Sequence, residues 1–285
     1  MNEFISDVSP ADKRSVGVKN LPLLAFVLIL FFLNFYNKTL FFRPGSIHQW
    51  RQTDCLSIAK NYYEEGMRFF EPKIHYQGVP GGKAVSEFPI LNYTVAALWK
   101  VFGEHEFIYR LLEYFIFITA IFVFYNTLLR FYKSVWLSFF ATGVLLTSPL
   151  LAYYSLNFIA DVPAFSIGLI AFCLFFRFYH EKKIKIFYLA LVLASLAVLM
   201  KASALMAFVL ILFFSALDIS GLNGFFRTEK LFIRKLWPTL VIMGLLTLII
   251  SWYRFAVRYN DNDNDSVFLL TVLPIWEMDE AQLIY

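Results

Sequence analysis

The most constraining feature of the sequence is a series of long apolar runs separated by short polar segments. A membrane-spanning helix needs about 20 predominantly apolar residues, with some slack for tilt. Seven runs meet or nearly meet this length, and they cover residues 21–42, 107–132, 135–154, 159–179, 186–200, 202–217 and 236–257. An eighth run, 88–102, is short and is broken by Asn92, so we expect it to lie at the membrane interface. The sequence therefore predicts an all-α polytopic membrane protein with about seven transmembrane helices.

The composition argues against a water-soluble domain. Charged residues make up 16% of the chain, whereas soluble domains contain roughly 25%, so polar side chains are too few to cover the molecule in water. Phenylalanine occurs 34 times, which suits a surface that faces lipid. The formal net charge is +4, but the basic residues lie in short loops between apolar runs. That distribution indicates membrane orientation and not binding of nucleic acid.

Lysine and arginine in the short loops predict the topology, because these residues are enriched on the cytoplasmic side of a membrane. With the N-terminus inside, every second loop is basic, and the residues concerned are Arg130, Lys133, Arg177, Lys182, Lys183, Lys185, Arg227, Lys230, Arg234 and Lys235. The long loop 43–87 also contains basic residues, but long loops translocate largely regardless of charge. Four charged residues from three different loops then share the outer face: Asp54, Glu87, Asp161 and Lys201.

The two ends of the chain are interpreted separately. The run 21–42 is longer than the apolar core of a signal peptide, and no small-residue cleavage site follows it. We therefore interpret it as the first membrane helix and residues 1–20 as a cytoplasmic tail. Residues 261–285 are predicted to form an outer segment, and their unfinished character favours an N-terminal fragment of a longer protein.

The first outer loop begins with the sequence HQWRQTDCLSIAKNYYEEG. The segment 50–65 contains no proline or glycine, and Gly66 is a suitable helix end. One face of the predicted helix is polar and contains Asp54, Ser57, Asn61 and Glu65. The other face contains Cys55, Ile58, Ala59 and Tyr62. Such a pattern predicts an amphipathic helix that lies along the membrane surface, with its polar face towards any cavity beneath the loop.

Three charged residues of this outer face have a simple structural interpretation and a functional one. Asp54 could be a solvated interfacial carboxylate, although its place on the amphipathic helix favours a role in a site. Asp161 opens a predicted helix shortly before Pro163, where the helix dipole favours an acid. Carboxylates at membrane depth are nevertheless costly and are functional candidates by default. Lys201 splits two apolar runs, so it either extends to the lipid headgroups or binds a phosphate.

Other features of the sequence indicate little when taken alone. Glu87 precedes the apolar run that starts at residue 88, and Arg110 lies near the outer end of a predicted helix. The stretch GVPGGKA lacks the first glycine and the Ser/Thr of a P-loop, and no GxGxxG, HExxH or GxSxG motif is present. Cys55 and Cys173 lie in a polar and an apolar segment respectively, so a disulfide between them is not expected.

The order of these motifs resembles the GT-C glycosyltransferases, and most closely glycosyltransferase family 39. This group includes the protein O-mannosyltransferases and the lipid A aminoarabinose transferases. An acid on a membrane-parallel helix of the first outer loop is matched by Asp54 in HQWRQTD. An acid before a proline, followed by a glycine turn and an arginine, is matched by SEFPILNY, VFGEHE and FIYRLLE, which contain Glu87 and Arg110. The acid that opens the fourth helix is matched by Asp161 in FIADVPAF, and the later lysine by Lys201 in LMKASAL.

The resemblance implies transfer of a sugar from a polyprenyl-phosphate donor to an acceptor hydroxyl, with inversion at the sugar. The acceptor would be a lipid, a glycan or a protein. Asp54 would be the catalytic base that takes the hydroxyl proton. Lys201 would stabilise the departing lipid phosphate with help from Arg110, Arg51 or Lys83. Lys83 is the nearest lysine to the place where the aminoarabinose transferases have one after the acid.

The second acidic position implies a further role in the site. Asp161 is predicted as a catalytic residue and Glu87 as a substrate-binding residue, and either acid could orient the acceptor. Alternatively, these acids would hold a divalent metal cation, with His48 or His75 as nitrogen ligands. Some relatives bind such a cation and others do not, so the metal stays open.

The resemblance also implies the domain organisation and the location. It predicts a GT-C-like catalytic domain over residues 21–260, including an outer loop over 43–106. It places the protein in a bacterial inner membrane, among membrane lipids, with the active site facing the periplasm. Two rival classes are a transporter or flippase of lipid-linked sugars and a non-catalytic membrane subunit. A transporter should have polar residues near helix midpoints and paired repeats, whereas here the charges lie at helix ends and no repeat is visible.

Overall fold

The computed structural model describes residues 10–75, 82–85, 87–222, 224 and 230–261, with the backbone alone for 10–18 and 261. The predicted outer segment 261–285 therefore lies outside the described residues except for its first residue. Within the described ranges the chain is α-helical, and the only β-type pairing there is an isolated bridge between Lys73 and Lys83. The helices are α1 (Pro10–Leu33), α2 (Tyr36–Thr39), α3 (Gln49–Glu65), α4 (Ile90–Phe102), α5 (Glu106–Tyr132), α6 (Val135–Leu146), α7 (Pro149–Tyr154), α8 (Asp161–Glu181), α9 (Ile184–Met200), α10 (Leu205–Ser220) and α11 (Leu236–Asp261).

The predicted all-α membrane architecture is confirmed. In the part of the chain that the structure describes, four helical segments are long and apolar enough to cross a bilayer: Glu106–Tyr132, Asp161–Glu181, Ala202–Ser220 and Leu236–Asn260. Four further apolar helices are shorter: Lys19–Leu33, Ile90–Phe102, Val135–Leu146 and Ile184–Met200. The second of these is α4, which the sequence already excluded as a full span.

Residues 135–154, which the sequence presents as one apolar run, do not form a single helix. They form α6 and α7, with a break between Leu146 and Pro149. Proline has no backbone N–H and cannot continue a helix, but it fits the first turn of a new one. Ser148 caps that new helix by accepting a hydrogen bond from the backbone N–H of Leu151 at 3.5 Å.

The centre of the bundle is an antiparallel pair formed by α8 and α9, joined at Lys182 and Lys183. Small residues face each other between these helices, and a Cβ on Gly168 would be in van der Waals contact with the Cβ of Ala197, at 3.7 Å. The turn is on the predicted cytoplasmic side, where Glu181 pairs with Arg177 at 2.6 Å and with Lys183 at 3.0 Å. Because the pair is antiparallel, the first residue of α8 and the last residue of α9 lie at the opposite end, which is the predicted outer end.

Helix α11 fixes the outer loop that precedes α4. The side-chain amide of Asn260 donates to the carbonyl of Val85 at 2.6 Å and accepts from its N–H at 3.0 Å. The ring of Phe88 packs against Trp252 with ring centroids 4.8 Å apart, and the N–H of Phe88 donates to the carbonyl of Leu199 at 3.0 Å. These contacts place Glu87, between Val85 and Phe88, beside the outer end of α9.

Candidate active site

Helix α3 contributes Arg51 and Asp54 to the candidate site. Its apolar face is buried as predicted, with Cys55 and Ala59 in a core cluster with residues of α4, α5 and α8. The predicted polar face is not uniformly open. Ser57 and Asn61 are buried, and the amide of Asn61 donates to the carbonyl of Lys73 at 2.7 Å. The open part of this face lies at its two ends, where Asp54 is half-buried and Glu65 is exposed.

Three separate segments meet this helix through a chain of ion pairs. A single carboxylate oxygen of Glu87, Oε1, contacts both the Arg51 guanidinium and the Lys201 ammonium, the latter at 3.3 Å. The same Lys201 Nζ lies 3.2 Å from Oδ2 of Asp161. Glu87 and Arg51 are largely buried, with side chains 16% and 15% exposed, while Lys201 and Asp161 are 28% and 39% exposed. Glu87 and Arg51 therefore form the closed half of the cluster. Lys201 and Asp161 form the open half, which a ligand can reach.

The helix ends explain why these groups meet. Asp161 is the first residue of α8, where an acid complements the helix dipole. Lys201 follows the last residue of α9 in an extended conformation, with φ −157° and ψ 121°, and a short 3₁₀ turn over Ala202–Ala204 comes next. The break in the helix thus directs a cation towards the neighbouring helix start.

Both cations of the cluster stay charged. Burial on its own would lower the pKa of Lys201, but the carboxylates of Glu87 and Asp161 outweigh it and the pKa is raised. The pKa of Arg51 is also raised, because burial, which lowers it, is outweighed by Glu87. Two fixed positive charges at the outer end of the bundle can stabilise a phosphate.

Asp54 differs from the other acids of the site. Burial raises its pKa, and the positive charge of Arg51 only partly counteracts this effect. Across the described ranges, no ion pair or hydrogen bond involves its carboxylate, whereas Glu87 and Asp161 are both paired. A partly desolvated carboxylate without a bound cation is the more basic kind, as a proton acceptor requires.

Several residues predicted for the site lie outside this cluster. The guanidinium of Arg110 is buried and donates to backbone carbonyls of Leu156 and Phe42, the latter at 3.0 Å. Lys83 is half-buried next to its bridge with Lys73. His48 is exposed at the N-cap of α3, its ring centroid 6.1 Å from that of Tyr154.

A buried acid of α5, Glu113, was missed by the sequence analysis. Its side chain is fully buried, and Oε2 accepts hydrogen bonds from the backbone N–H groups of Asn157 and Phe158, each at 3.0 Å. One sequence signal could have identified it. Glu113 lies one helical turn after Arg110, inside a predicted transmembrane run, where a carboxylate is costly and therefore a functional candidate.

The described residues do not form a metal site. Nowhere in the described ranges do three His, Cys, Asp or Glu side chains come close enough together to hold a metal ion. Glu87 and Asp161 direct their oxygens at Lys201, and His48 lies on the exposed N-cap of α3. The donor set thus fits a cation–carboxylate network.

Together, the helical architecture and the charged cluster define a polytopic integral membrane protein with a polar site at one end of its bundle. Residues 58–260 match the family described as dolichyl-phosphate-mannose-protein mannosyltransferase, and the chain belongs to this family. The match confirms the resemblance found in the motifs and covers Glu87, Asp161 and Lys201, while Arg51 and Asp54 lie just before it. No curated protein and no solved structure matches the chain. The protein is accordingly a membrane glycosyltransferase of the kind that uses a polyprenyl-phosphate-linked sugar.

Proposed function

We propose that this protein transfers a sugar from a polyprenyl-phosphate donor to an acceptor hydroxyl at the outer face of the membrane. The observation that supports this most strongly is the cluster itself. Arg51 and Lys201 are half-buried cations, and the carboxylate of Asp54, near Arg51, has no ion pair or hydrogen bond within the described residues. Displacement of a phosphate by a hydroxyl needs both kinds of group.

The donor phosphate would bind at the open half of the cluster. Lys201 already lies between two acids, and Asp161, its outer partner, is the most exposed member. A lipid phosphate could replace the Asp161 contact while Glu87 keeps Lys201 and Arg51 in place. The two cations would then stabilise the negative charge that grows on the phosphate as it leaves.

The acceptor hydroxyl would be activated from α3. Its oxygen attacks the anomeric carbon, forming a C–O bond while the bond between that carbon and the phosphate oxygen breaks. The hydroxyl proton passes to the Asp54 carboxylate, and the bonding electrons leave with the polyprenyl phosphate. Asp161, released from Lys201, would orient the acceptor. A single displacement of this kind inverts the anomeric centre.

A groove on α11 supports a lipid-linked donor over a soluble nucleotide sugar. It is shallow and open, and α11 alone lines it, through Ile249, Ile250, Tyr253, Arg254, Val257 and Arg258. The hydroxyl of Tyr253 donates to the carbonyl of Val198 at 2.8 Å, three residues before Lys201, so the groove adjoins the site. An apolar wall would accommodate the polyprenyl chain, and the two arginines at its outer end would attract the phosphate.

The direct test is a transfer assay with the full chain in membranes or proteoliposomes. A panel of radiolabelled polyprenyl-phosphate sugars is compared with the corresponding nucleotide sugars, using peptide, glycan and lipid acceptors. Transfer from one polyprenyl-phosphate donor, with none from nucleotide sugars, is the expected result. Movement of the labelled donor across the bilayer without transfer would instead support the flippase alternative. Absence of both activities would favour a non-catalytic membrane subunit.

A further inference from the structure

The buried pair formed by Arg110 and Glu113 on α5 does not touch the ion-pair cluster, yet both side chains bind the backbone around it. We propose that these two residues position Asp161, by fixing the loop that enters α8. This inference rests on the proposed function for its catalytic meaning. It gives Arg110 a positioning role in place of the phosphate-binding role predicted from the sequence.

Glu113 holds the loop through two main-chain groups. Its Oε2 accepts hydrogen bonds from the N–H groups of Asn157 and Phe158, each at 3.0 Å. Phe158 has φ 57°, a left-handed conformation that non-glycine residues rarely adopt. Such a backbone persists only where its surroundings hold it. Here the carboxyl group of Glu113 binds the N–H groups on both sides of the Asn157 Cα, and one of them is the amide of Phe158 itself. Asp161 follows three residues later.

Arg110 completes the attachment from the other side. Its guanidinium donates to the carbonyl of Leu156 and to the carbonyls of Phe42 and Arg43, the latter two at 3.0 and 3.3 Å. Its Cζ lies 4.1 Å from the ring centroid of Phe158, so the cation also packs on the residue with the strained backbone. One helical turn of α5 therefore fixes the loop before α8 and the start of the first outer loop.

A purely space-filling role does not explain why a guanidinium and a carboxyl group are buried here. Arg110 is 3% exposed and Glu113 is fully buried, within the apolar helix Glu106–Tyr132. An apolar pair would fill the same volume without the cost of burying two polar groups. What the guanidinium and the carboxyl group supply is hydrogen bonding to several backbone groups at once. The expected consequence is a fixed position for the start of α8, and therefore for Asp161, within the site.

Backbone hydrogen exchange tests the attachment without any assay of transfer. The purified full chain is compared as wild type, Glu113→Ala and Glu113→Gln, with Glu106→Gln as a matched control on the exposed start of the same helix. Glu113→Ala should speed exchange of the Asn157 and Phe158 amides by at least about 10-fold, because an N–H without a partner exchanges from the native state. Glu113→Gln keeps an acceptor oxygen and should restore most of the protection. Unchanged exchange in Glu113→Ala would overturn the proposal.

A double-mutant cycle tests whether the loop acts through Asp161. Glu113→Ala alone should lower the transfer rate by about 100-fold, the size expected for a misplaced catalytic group. In an Asp161→Asn background the same change should add less than about 3-fold, because the group being positioned is already gone. Equal losses in both backgrounds would contradict a positioning role. If the wild type transfers no sugar, the proposed function fails, while hydrogen exchange still decides whether Glu113 holds the loop.

Discussion

Replacement of Lys201 by methionine should abolish most transfer while leaving the fold nearly as stable as before. Methionine keeps the length of the side chain and removes its charge. The fold loses two ion pairs, at 3.3 Å to Glu87 and 3.2 Å to Asp161. Neither acid is left buried and uncompensated, since Glu87 still contacts Arg51 and the Asp161 side chain is 39% exposed.

The expected magnitudes of the two effects are well separated. Ion pairs with solvent-accessible members contribute about 0.2–1 kcal/mol each, so the free energy of unfolding should fall by about 1 kcal/mol. Loss of one group that stabilises charge in the transition state costs about 100- to 1,000-fold in rate, or about 2.7–4 kcal/mol. The effect on catalysis should therefore exceed the effect on stability by a factor of about three.

The assay measures kcat for transfer together with the thermal unfolding midpoint, with Lys60→Met as the control. Lys60 forms a comparable ion pair on the surface, at 3.0 Å to Glu104, away from the cluster. Its variant should lose similar stability and keep full activity. A Lys201→Met protein that retains its rate within a few-fold, or whose lower rate follows unfolding alone, would refute a role for this cation in stabilising the leaving phosphate.

Three further predictions concern other parts of the molecule. Asp54→Asn should raise stability at neutral pH, because burial raises the pKa of Asp54 in the fold. The ionised form is then disfavoured, and wild-type stability should fall as pH rises from the ordinary aspartate pKa of about 3.9 through the folded value. Chemical unfolding across pH measures this, and a fall of equal size in the variant would contradict it. Asn260→Ala should lower the unfolding free energy by about 1–3 kcal/mol through two lost hydrogen bonds to Val85, visible in the melting temperature. Arg254→Gln with Arg258→Gln should raise the donor KM with little change in kcat, and an unchanged KM would argue against the α11 groove as the lipid path.

Much of the fold follows from the sequence because the bilayer limits the options of the chain. Apolar runs of the required length must form helices, and the basic loops predict their direction. The boundaries of α5, α8 and α11 lie close to the predicted runs for this reason. The division between α6 and α7 was not predicted, because run length alone gave a span and the effect of Pro149 was overlooked.

Most residues of the site could be predicted from the sequence, but the ion pairs between them could not. Sidedness placed Glu87, Asp161 and Lys201 at one face, and the structure brings the three side chains into contact. That Glu87 would also bind Arg51 depends on how α11 fixes the loop through Asn260, a contact 175 residues apart in sequence. No local pattern contains such information.

Arg110 and Glu113 show a different limit of sequence reasoning. Arg110 was predicted as a phosphate ligand because it lies near the outer end of α5. In the structure its guanidinium points to backbone carbonyls of loops distant in sequence. The direction of a side chain on a helix depends on what packs against that helix. A charged residue near a site can therefore bind backbone groups instead of the ligand.

The central claim is that Asp54 is the base of a sugar transfer. Its most direct test compares transfer by wild type, Asp54→Asn and Glu64→Gln, with the polyprenyl-phosphate donor that the panel of sugars reveals. Glu64 is an exposed acid on the same helix and serves as the matched control. Loss of the base should lower the rate by about 100- to 10,000-fold in Asp54→Asn at equal expression, with Glu64→Gln unchanged and polyprenyl phosphate released in step with transfer. Full transfer by the Asp54→Asn protein would contradict Asp54 as the base and the mechanism built on it.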